Sequence, residues 1–170
     1  MSYSPDTSAM YIPITLNCEL ATFGPTERQL GGGGTGPVRR VNYHHPESDG
    51  NLGEVLALNI PSGEVKWRYR TRAPFNTAAL TTAGGLVFIG DWNRTMSALD
   101  AENGELLWQV RLATSNQGFP ISYSVDGKQY IAMPVGTGGA SWSGSLPREL
   151  TPELRRPRNG SSINVFALPN

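Results

Sequence analysis

Two stretches of the chain decide its fold: ALNIPSGEVKW at residues 57–67 and ALDAENGELLW at residues 98–108. Ala, Leu, Gly, Glu and Trp recur at a constant offset of 41 residues, from Ala57 to Ala98. A period of about 40–45 residues is typical of a four-stranded β-propeller blade. The repeat therefore predicts a series of blades.

The residue types in the repeat fit a blade physically. The small Ala at the end of one strand leaves room for a neighbouring sheet. Gly63 and Gly104 fall in the following turn, where a positive φ is expected. Trp67 and Trp108 lie on the next strand, and we expect their rings to dock between adjacent blades. Packing explains these two Trp residues better than chemistry does.

The second repeat unit can be read strand by strand. Its alternating and apolar runs predict strands over 76–82, 86–90, 95–100 and 105–111, with a Gly-rich turn at 83–85. Helical periodicity is absent from this region. The predicted fold class is therefore all-β.

Weaker matches locate the other blades. ISYSVDGKQYIAMPV at 121–135 resembles the opening MSYSPDTSAMYIPI at 1–14, and SINVFAL at 162–168 repeats the Ala-Leu strand. We predict a partial β-propeller of about three four-stranded blades with tryptophan-docking repeats, over about 1–70, 71–112 and 113–170. It is expected to be incomplete at both ends, since the first blade lacks most of its inner strand and the last its outer strand.

Two long connections interrupt these blades, at residues 19–52 and 136–161. Long connections on a propeller shape the mouth of one face, where ligands bind. The first carries glycines at 31–34, which no strand or Gly-Lys-Ser/Thr flanks, so we interpret them as a loop and not a phosphate site. It also carries His44-His45, where no third ligand completes a metal site. A solvated pair is the better interpretation.

The second connection carries a short predicted helix over residues 147–155. Glu149 and Glu153 would share one face of it. The nearby Arg148 and Arg155 favour surface ion pairs over catalysis by these carboxylates.

Composition excludes several classes of function. Lys and Arg total 14, as do Asp and Glu, so no basic field for nucleic acid is indicated. No apolar run is long enough to span a membrane, and no signal peptide is visible at the start. The lone Cys18 is expected to be a buried free thiol.

Three residues fit no packing repeat. Trp92 lies in GDWNR at a strand-to-strand turn, Trp142 lies in GTGGASWSG of the second connection, and Asn76 opens an inner strand. Inner-strand ends point towards the central channel of a propeller. Turn packing, loop anchoring and strand capping are the respective structural alternatives.

Taken together, TTAGGLVFIGDWNRTMSALDAENGELLW at 81–108 and GFPISYSVDGKQYIAMPVGTGG at 118–139 resemble the C-terminal region of pyrroloquinoline-quinone (PQQ)-dependent alcohol dehydrogenases. YSPDTSAMYIPITLNCE at 3–19 resembles the preceding blade of that family. The resemblance implies an eight-bladed propeller that holds PQQ beside Ca²⁺ or a lanthanide. It also implies alcohol oxidation by hydride transfer to the quinone, a cytochrome electron acceptor and a periplasmic location.

The resemblance places the metal ligands and the catalytic Asp in earlier blades, so none is expected in this chain. It implies a cofactor contact at Thr15, with Asn17 two residues on and on the same strand face if the strand persists. The family often has Trp just before the TAGG strand, and this chain departs from it with Pro74-Phe75-Asn76, where Asn76 is the candidate to hydrogen-bond the quinone; Trp92 joins them as a candidate. Trp142 resembles a Trp of the substrate funnel. The chain is then a C-terminal fragment whose partners are the remaining blades. The alternatives are a non-catalytic propeller scaffold for protein interaction and a subunit that completes a split enzyme.

Overall fold

Antiparallel strands make up most of the regular structure. The computed structural model describes residues 1–25, 38–136, 146–155, 157 and 159–167. In these ranges the chain forms two four-stranded sheets, one three-stranded sheet and one two-stranded hairpin, because short strands rich in β-branched and aromatic residues alternate with Gly, Pro and Asp turns. The bounds are β1 Ser2–Ser4, β2 Ala9–Thr15, β3 Asn17–Phe23, β4 Val38–His44, β5 Gly53–Asn59, β6 Val65–Thr71, β7 Leu80–Thr81, β8 Leu86–Gly90, β9 Thr95–Asp100, β10 Leu106–Arg111, β11 Ile121–Val125, β12 Lys128–Val135, helix α1 Leu146–Leu150 and β13 Ser162–Ala167.

Three sheets correspond to three blades. The first has the order β1-β2-β5-β6, the second β7-β8-β9-β10, and the third β11-β12-β13. All the pairings are antiparallel. The prediction of an all-β partial propeller is confirmed. We call these sheets blades one, two and three.

The repeat behaves as its residue types predict. Gly63 and Gly104 have φ values of +72° and +78° in the turns that follow β5 and β9. Trp67 is 8% exposed and lies in the apolar core between blades one and two. Its indole Nε1 donates a hydrogen bond of 3.0 Å to the carbonyl of Ala101 in blade two. The structure therefore confirms that Trp67 packs between blades one and two.

The inner strand of blade two is shorter than the predicted 76–82. Only Leu80–Thr81 forms ladder pairs, with Phe88 and Val87. Further back, Phe75 forms an isolated bridge to Asp91, and the hydroxyl of Thr77 bonds to both the N–H and the carbonyl of Gly90. Side-chain hydrogen bonds thus replace part of the backbone ladder.

The two long connections pack against each other. Strands β3 and β4 form a separate hairpin, and α1 contacts β4. Helix α1 ends at Leu150, earlier than the predicted 155, because Thr151 precedes Pro152 and a residue before proline avoids the helical region. The glycines at 31–34 lie outside the described residues. Cys18 is exposed on β3, so the expectation of a buried thiol was wrong.

The predicted ion pairs of the helix also need correction. Glu149 accepts hydrogen bonds from the backbone N–H and the side-chain amide of Asn42, at 3.1 and 2.6 Å. Glu153 forms a 2.6 Å ion pair with Arg72 of blade one. These contacts cross to the hairpin and the first blade, and lower the pKa of both carboxyl groups. His44 is the last residue of β4, and its Nε2 lies 3.1 Å from the carbonyl of Leu150.

Candidate functional site

The strand registers place the predicted residues at one end of the blades. Tyr11 pairs with Ala57 in blade one, and Phe88 pairs with Ala98 in blade two. Counting four residues onward from each reaches Thr15 and Trp92, which therefore occupy equivalent levels in adjacent blades. Both long connections leave the sheets at this end, which we call the insertion end and define by connections 16–52, 72–79, 91–94, 112–120 and 136–161.

Asn76 is held at the insertion end by contacts on both sides of it. Before it, the carbonyl of Pro74 accepts a 2.9 Å hydrogen bond from the N–H of Trp92. After it, Thr77 makes two 3.1 Å hydrogen bonds with Gly90. Asn76 itself is half-buried and follows the bridge residue Phe75. The backbone at Asn76 is thus fixed by the turn that contains Trp92.

The turn over residues 91–94 is tied to blade three as well. The hydroxyl of Ser115 donates a 2.7 Å hydrogen bond to the carbonyl of Trp92. The side-chain amide of Asn116 donates to the carbonyls of Asp91 and Thr95, at 3.1 and 2.9 Å. Trp92 is 2% exposed, so its ring packs into the protein and presents little surface to a ligand.

Asp91 caps this turn from within. Its Oδ1 accepts a 2.7 Å hydrogen bond from the N–H of Thr95, four residues on, and the carboxyl group also accepts one from the N–H of Asn93, the two-residue spacing of an Asx turn. The side chain is 7% exposed, and burial raises the pKa of its carboxyl group to about 6, against the opposing effects of backbone hydrogen bonds and of Arg111. Asp91 is therefore a buried acid at the junction of blades two and three.

Thr15 and Asn17 do not share a strand face. Strand β2 ends at Thr15, which pairs with Gly53, whereas Asn17 begins β3 and pairs with His44. The chain leaves the first sheet at Leu16, whose N–H bonds to the carbonyl of Leu52 at 2.8 Å. Both side chains are half-buried at the insertion end, and because β2 does not persist to Asn17, the condition for one shared strand face is not met. Trp142 lies outside the described residues.

Comparison with known proteins identifies the propeller. Residues 50–131 match the PQQ glucose/ethanol/alcohol dehydrogenase β-propeller domain. The chain is 32% identical over 173 residues to the quinoprotein ethanol dehydrogenase of Pseudomonas aeruginosa, and 35% identical over 176 residues to the 1-butanol dehydrogenase (quinone) of Thauera butanivorans. The chain belongs to the PQQ β-propeller family.

Solved structures agree with this assignment. The europium-containing methanol dehydrogenase superposes over 98% of the chain with a TM-score of 0.83 and 25% identity. The quinohemoprotein alcohol dehydrogenase of Comamonas testosteroni gives a TM-score of 0.72 and 28% identity over the same share. The chain spans 32% and 25% of those two chains, and 26% of each of the two relatives named above. This PQQ-family chain thus covers about a quarter of the length of its curated relatives.

The polar groups of this PQQ-family chain suit a quinone with carboxylate and carbonyl oxygens. The hydroxyl of Thr15 and the amides of Asn17 and Asn76 can donate hydrogen bonds, and all three side chains are half-buried at the insertion end. Among the described residues, no three His, Cys, Asp or Glu side chains cluster closely enough to hold a metal ion. Within the same ranges, no helix is long and apolar enough to cross a membrane.

Sequence reasoning missed the residues that support this end of the propeller. Asp91 and Asn116 are buried polar residues that hold the 91–94 turn, and Thr77 and Ser115 fix its flanks. For Asp91 a signal was available, since Asp followed by a short turn between two strands favours an Asx turn. For Asn116 there was none, because the residue follows no local pattern and its partners lie 21 and 25 residues away.

Proposed function

We propose that this chain forms one wall of the cofactor and substrate funnel of a PQQ-dependent alcohol dehydrogenase. The observation that carries the proposal is the fixed placement of Asn76 at the insertion end, between its anchors at Pro74 and Thr77. A side chain carried on a fixed backbone is suited to binding a flat, anionic ligand, because little backbone entropy is lost when the bond forms.

Each candidate has a separate part in this proposal. The amide of Asn76 and the hydroxyl of Thr15 donate hydrogen bonds to oxygens of the quinone from adjacent blades. Asn17, at the start of the hairpin, approaches from the side of the first connection. The buried Trp92 supports the turn that anchors Asn76, and the resemblance assigns Trp142 to the substrate funnel. When bound, the quinone supplies the hydride acceptor that these side chains cannot supply.

Other parts of the catalytic apparatus are assigned to the remaining blades. The Ca²⁺ or lanthanide ligands and the catalytic base belong there in this proposal, so this chain contributes binding and orientation. Two relatives carry cytochrome c in their names, the lupanine 17-hydroxylase of a Pseudomonas species and a 1-butanol dehydrogenase of Thauera butanivorans. That naming supports a cytochrome as electron acceptor and, with it, a periplasmic location.

A chimeric enzyme tests the proposal directly. The chain would replace the aligned quarter of the Pseudomonas aeruginosa quinoprotein ethanol dehydrogenase, and PQQ binding would be measured by titration. We expect the chimera to bind PQQ, and Asn76→Ala to raise its dissociation constant about tenfold or more, since a hydrogen bond to a charged group contributes about 1.5–3 kcal/mol.

Asn103→Ala is the matched control. Asn103 is exposed in the turn after β9, at the opposite end of the same blade, and its Oδ1 accepts a hydrogen bond from the N–H of Glu105. This variant should bind PQQ as the unmodified chimera does. A folded chimera that binds no PQQ, or an Asn76→Ala variant of unchanged affinity, would overturn the proposal. No observation favours the non-catalytic scaffold as a second candidate.

A further inference from the structure

Equivalent positions in blades two and three carry different residues. Phe75 and Asn116 are 41 residues apart, the offset of the repeat, and each forms an isolated bridge at the insertion end of its blade. Phe75 packs into the apolar core between blades one and two, beside Tyr69. Asn116 is fully buried in the corresponding place of blade three. A polar amide thus replaces an aromatic ring at a buried site.

The hydrogen bonds of Asn116 fix its orientation. Both hydrogens of its amide are donated to backbone carbonyls, those of Asp91 and Thr95, so the group cannot flip without losing both bonds. Its Oδ1 is buried and has no hydrogen-bond partner in the described part of the chain. An unpaired buried acceptor costs about 1–3 kcal/mol. An apolar residue would avoid that cost, so the amide needs a reason beyond packing.

The two carbonyls it holds belong to the turn that fixes Asn76. Asp91 and Thr95 flank Trp92, whose N–H bonds to the carbonyl of Pro74. A further backbone bond runs from the N–H of Asn116 to the carbonyl of Asp91 at 3.2 Å. The route of contact is therefore continuous from blade three, through the 91–94 turn, to the residue two places before Asn76.

Packing leaves this route little freedom to shift. A Cβ atom added at Gly90 would lie 2.5 Å from the Cβ of Asn116 and 2.7 Å from the Cε of Met133. Gly90 is also the residue that Thr77 holds on the other side of Asn76. Thr77 at the start of blade two and Asn116 at the start of blade three thus both contact Gly90.

From these contacts we infer that Asn116 is a positioning residue for the quinone site, acting through the Trp92 turn on Asn76. The inference rests on the proposed function, because the ligand that Asn76 would bind is the quinone. Asn116 itself touches no ligand in this arrangement. Its role is to hold the turn at the height and angle that the amide of Asn76 requires.

Two variants separate the donor function from the shape of the side chain. Asn116→Asp keeps the size of the residue and loses both donated hydrogens. Asn116→Leu fills a similar volume without a buried charge, so it keeps the experiment informative if the aspartate variant fails to fold. Asn103→Asp, in the exposed turn between β9 and β10 of blade two, is the control. All would be made in the chimera that retains the full chain.

The first measurement follows the turn without any quinone. With 5-fluorotryptophan incorporated, each Trp gives its own ¹⁹F signal, and Trp92→Phe assigns the signal of Trp92. We expect the Trp92 signal to shift in both Asn116 variants and to stay in place in Asn103→Asp. An unmoved Trp92 signal in a folded Asn116 variant would contradict the inference, whatever the chimera does with PQQ.

The second measurement is a double-mutant cycle on PQQ affinity. We expect Asn116→Leu to raise the dissociation constant about tenfold, comparable to a lost hydrogen bond. If Asn116 acts through Asn76, the double variant Asn76→Ala/Asn116→Leu binds PQQ with the same affinity as Asn76→Ala alone. Additive losses would show that Asn116 acts by another route and would overturn the inference. A chimera that binds no PQQ while its Trp92 signal responds to Asn116 would refute the proposed function and leave the coupling of Asn116 to the turn established.

Discussion

The same tryptophan repeat has two different surroundings in this chain. Trp67 is 8% exposed and packs on the turn Ala101–Gly104 of the next blade, with Tyr11 at a ring-centroid distance of 5.5 Å. Trp108 is 39% exposed and meets Phe166 edge-on at 5.3 Å, beside an apolar cavity of about 450 Å³. The turn that would cover Trp108 follows β13, whose last residue, Ala167, is also the last that the structure describes.

The difference shows that the repeat specifies a contact between blades. Each Trp lies on an equivalent strand of its own blade. Among the described residues, Trp67 has both a hydrogen-bond acceptor and a contacting glycine from the neighbouring blade, and Trp108 has neither. The junction of blades two and three is instead held at the insertion end, by Ser115 and Asn116. In the described part of the chain, the first junction is apolar around Trp67, and the second is polar at the insertion end and leaves Trp108 partly exposed at the other end.

Truncating each Trp in the chimera tests this contrast most strongly. We expect Trp67→Ala to lower the free energy of unfolding by about 4 kcal/mol, because it removes a fully packed ring and leaves a cavity. Trp108→Ala should cost about 1–2 kcal/mol, since much less of its surface is buried. Urea unfolding monitored by circular dichroism measures both. Equal losses would mean that another segment of the protein covers Trp108.

Glycine substitutions sharpen the same contrast at the turn. Gly104→Ala would place a Cβ 2.7 Å from two ring atoms of Trp67, on a backbone with φ of +78°. Gly63 has a similar φ of +72° and no atom within 4 Å of such a Cβ. We expect a loss of about 3 kcal/mol for Gly104→Ala and about 1 kcal/mol for Gly63→Ala, because only the first adds a clash to the strain. Urea midpoints of the two chimeric variants give the comparison, and losses of the same size would exclude the clash.

The blades could be predicted from the sequence because their signals are local. Strands β8 and β9 begin and end as predicted, since a Gly-rich turn and a DWNR turn bound them and nearly all the residues between these turns are buried. Helix α1 was predicted too long because Pro152 was not counted as a stop signal. The Gly-rich first connection is predicted as a loop, and the structure shows that the residues on either side of its Gly- and Pro-rich stretch pair as the β3–β4 hairpin.

The site could be predicted only in part, for a physical reason. Thr15, Asn76 and Trp92 stand at strand ends, and the repeat period alone brings strand ends to one level. Asn116 and Thr77 act through hydrogen bonds to backbone groups of other strands, and such bonds follow from register and blade packing. Trp92 was predicted as a contact residue, and its burial favours a supporting role beneath Asn76.

The polar junction of blades two and three should respond to pH. The pKa of Asp91 is about 6 in the folded protein and about 4 when unfolded, so its contribution to stability is complete below pH 4 and is lost as the pH rises through 6. Asp91→Asn should therefore stabilise the chimera by about 3 kcal/mol at pH 8 and have no effect near pH 4. Urea midpoints at both pH values check this. A variant that is destabilised at pH 8 would show that the charge, and not only the turn geometry, is needed there.

Removing the hydroxyl of Tyr11 tests the junction of blades one and two with the smallest expected effect. It donates a 2.9 Å hydrogen bond to the carbonyl of Ala101, the same acceptor that Trp67 uses, and lies 2.7 Å from the hydroxyl of Thr7. Tyr11→Phe should cost about 1 kcal/mol, because the carbonyl keeps its bond from Trp67 while one net hydrogen bond is lost.

Tyr130 is the matched control, since it pairs with Ala167 as Tyr11 pairs with Ala57. It is half-buried and stacks on Tyr123 at 5.4 Å, so water can replace a partner of its hydroxyl. Tyr130→Phe should therefore change the urea midpoint by less than Tyr11→Phe does. The two hydroxyl groups occupy the same position in the repeat. The variant with the larger loss of stability therefore identifies the junction that excludes water. A larger loss at Tyr130 would place the dry junction at blade three and reverse the contrast drawn from Trp67 and Trp108.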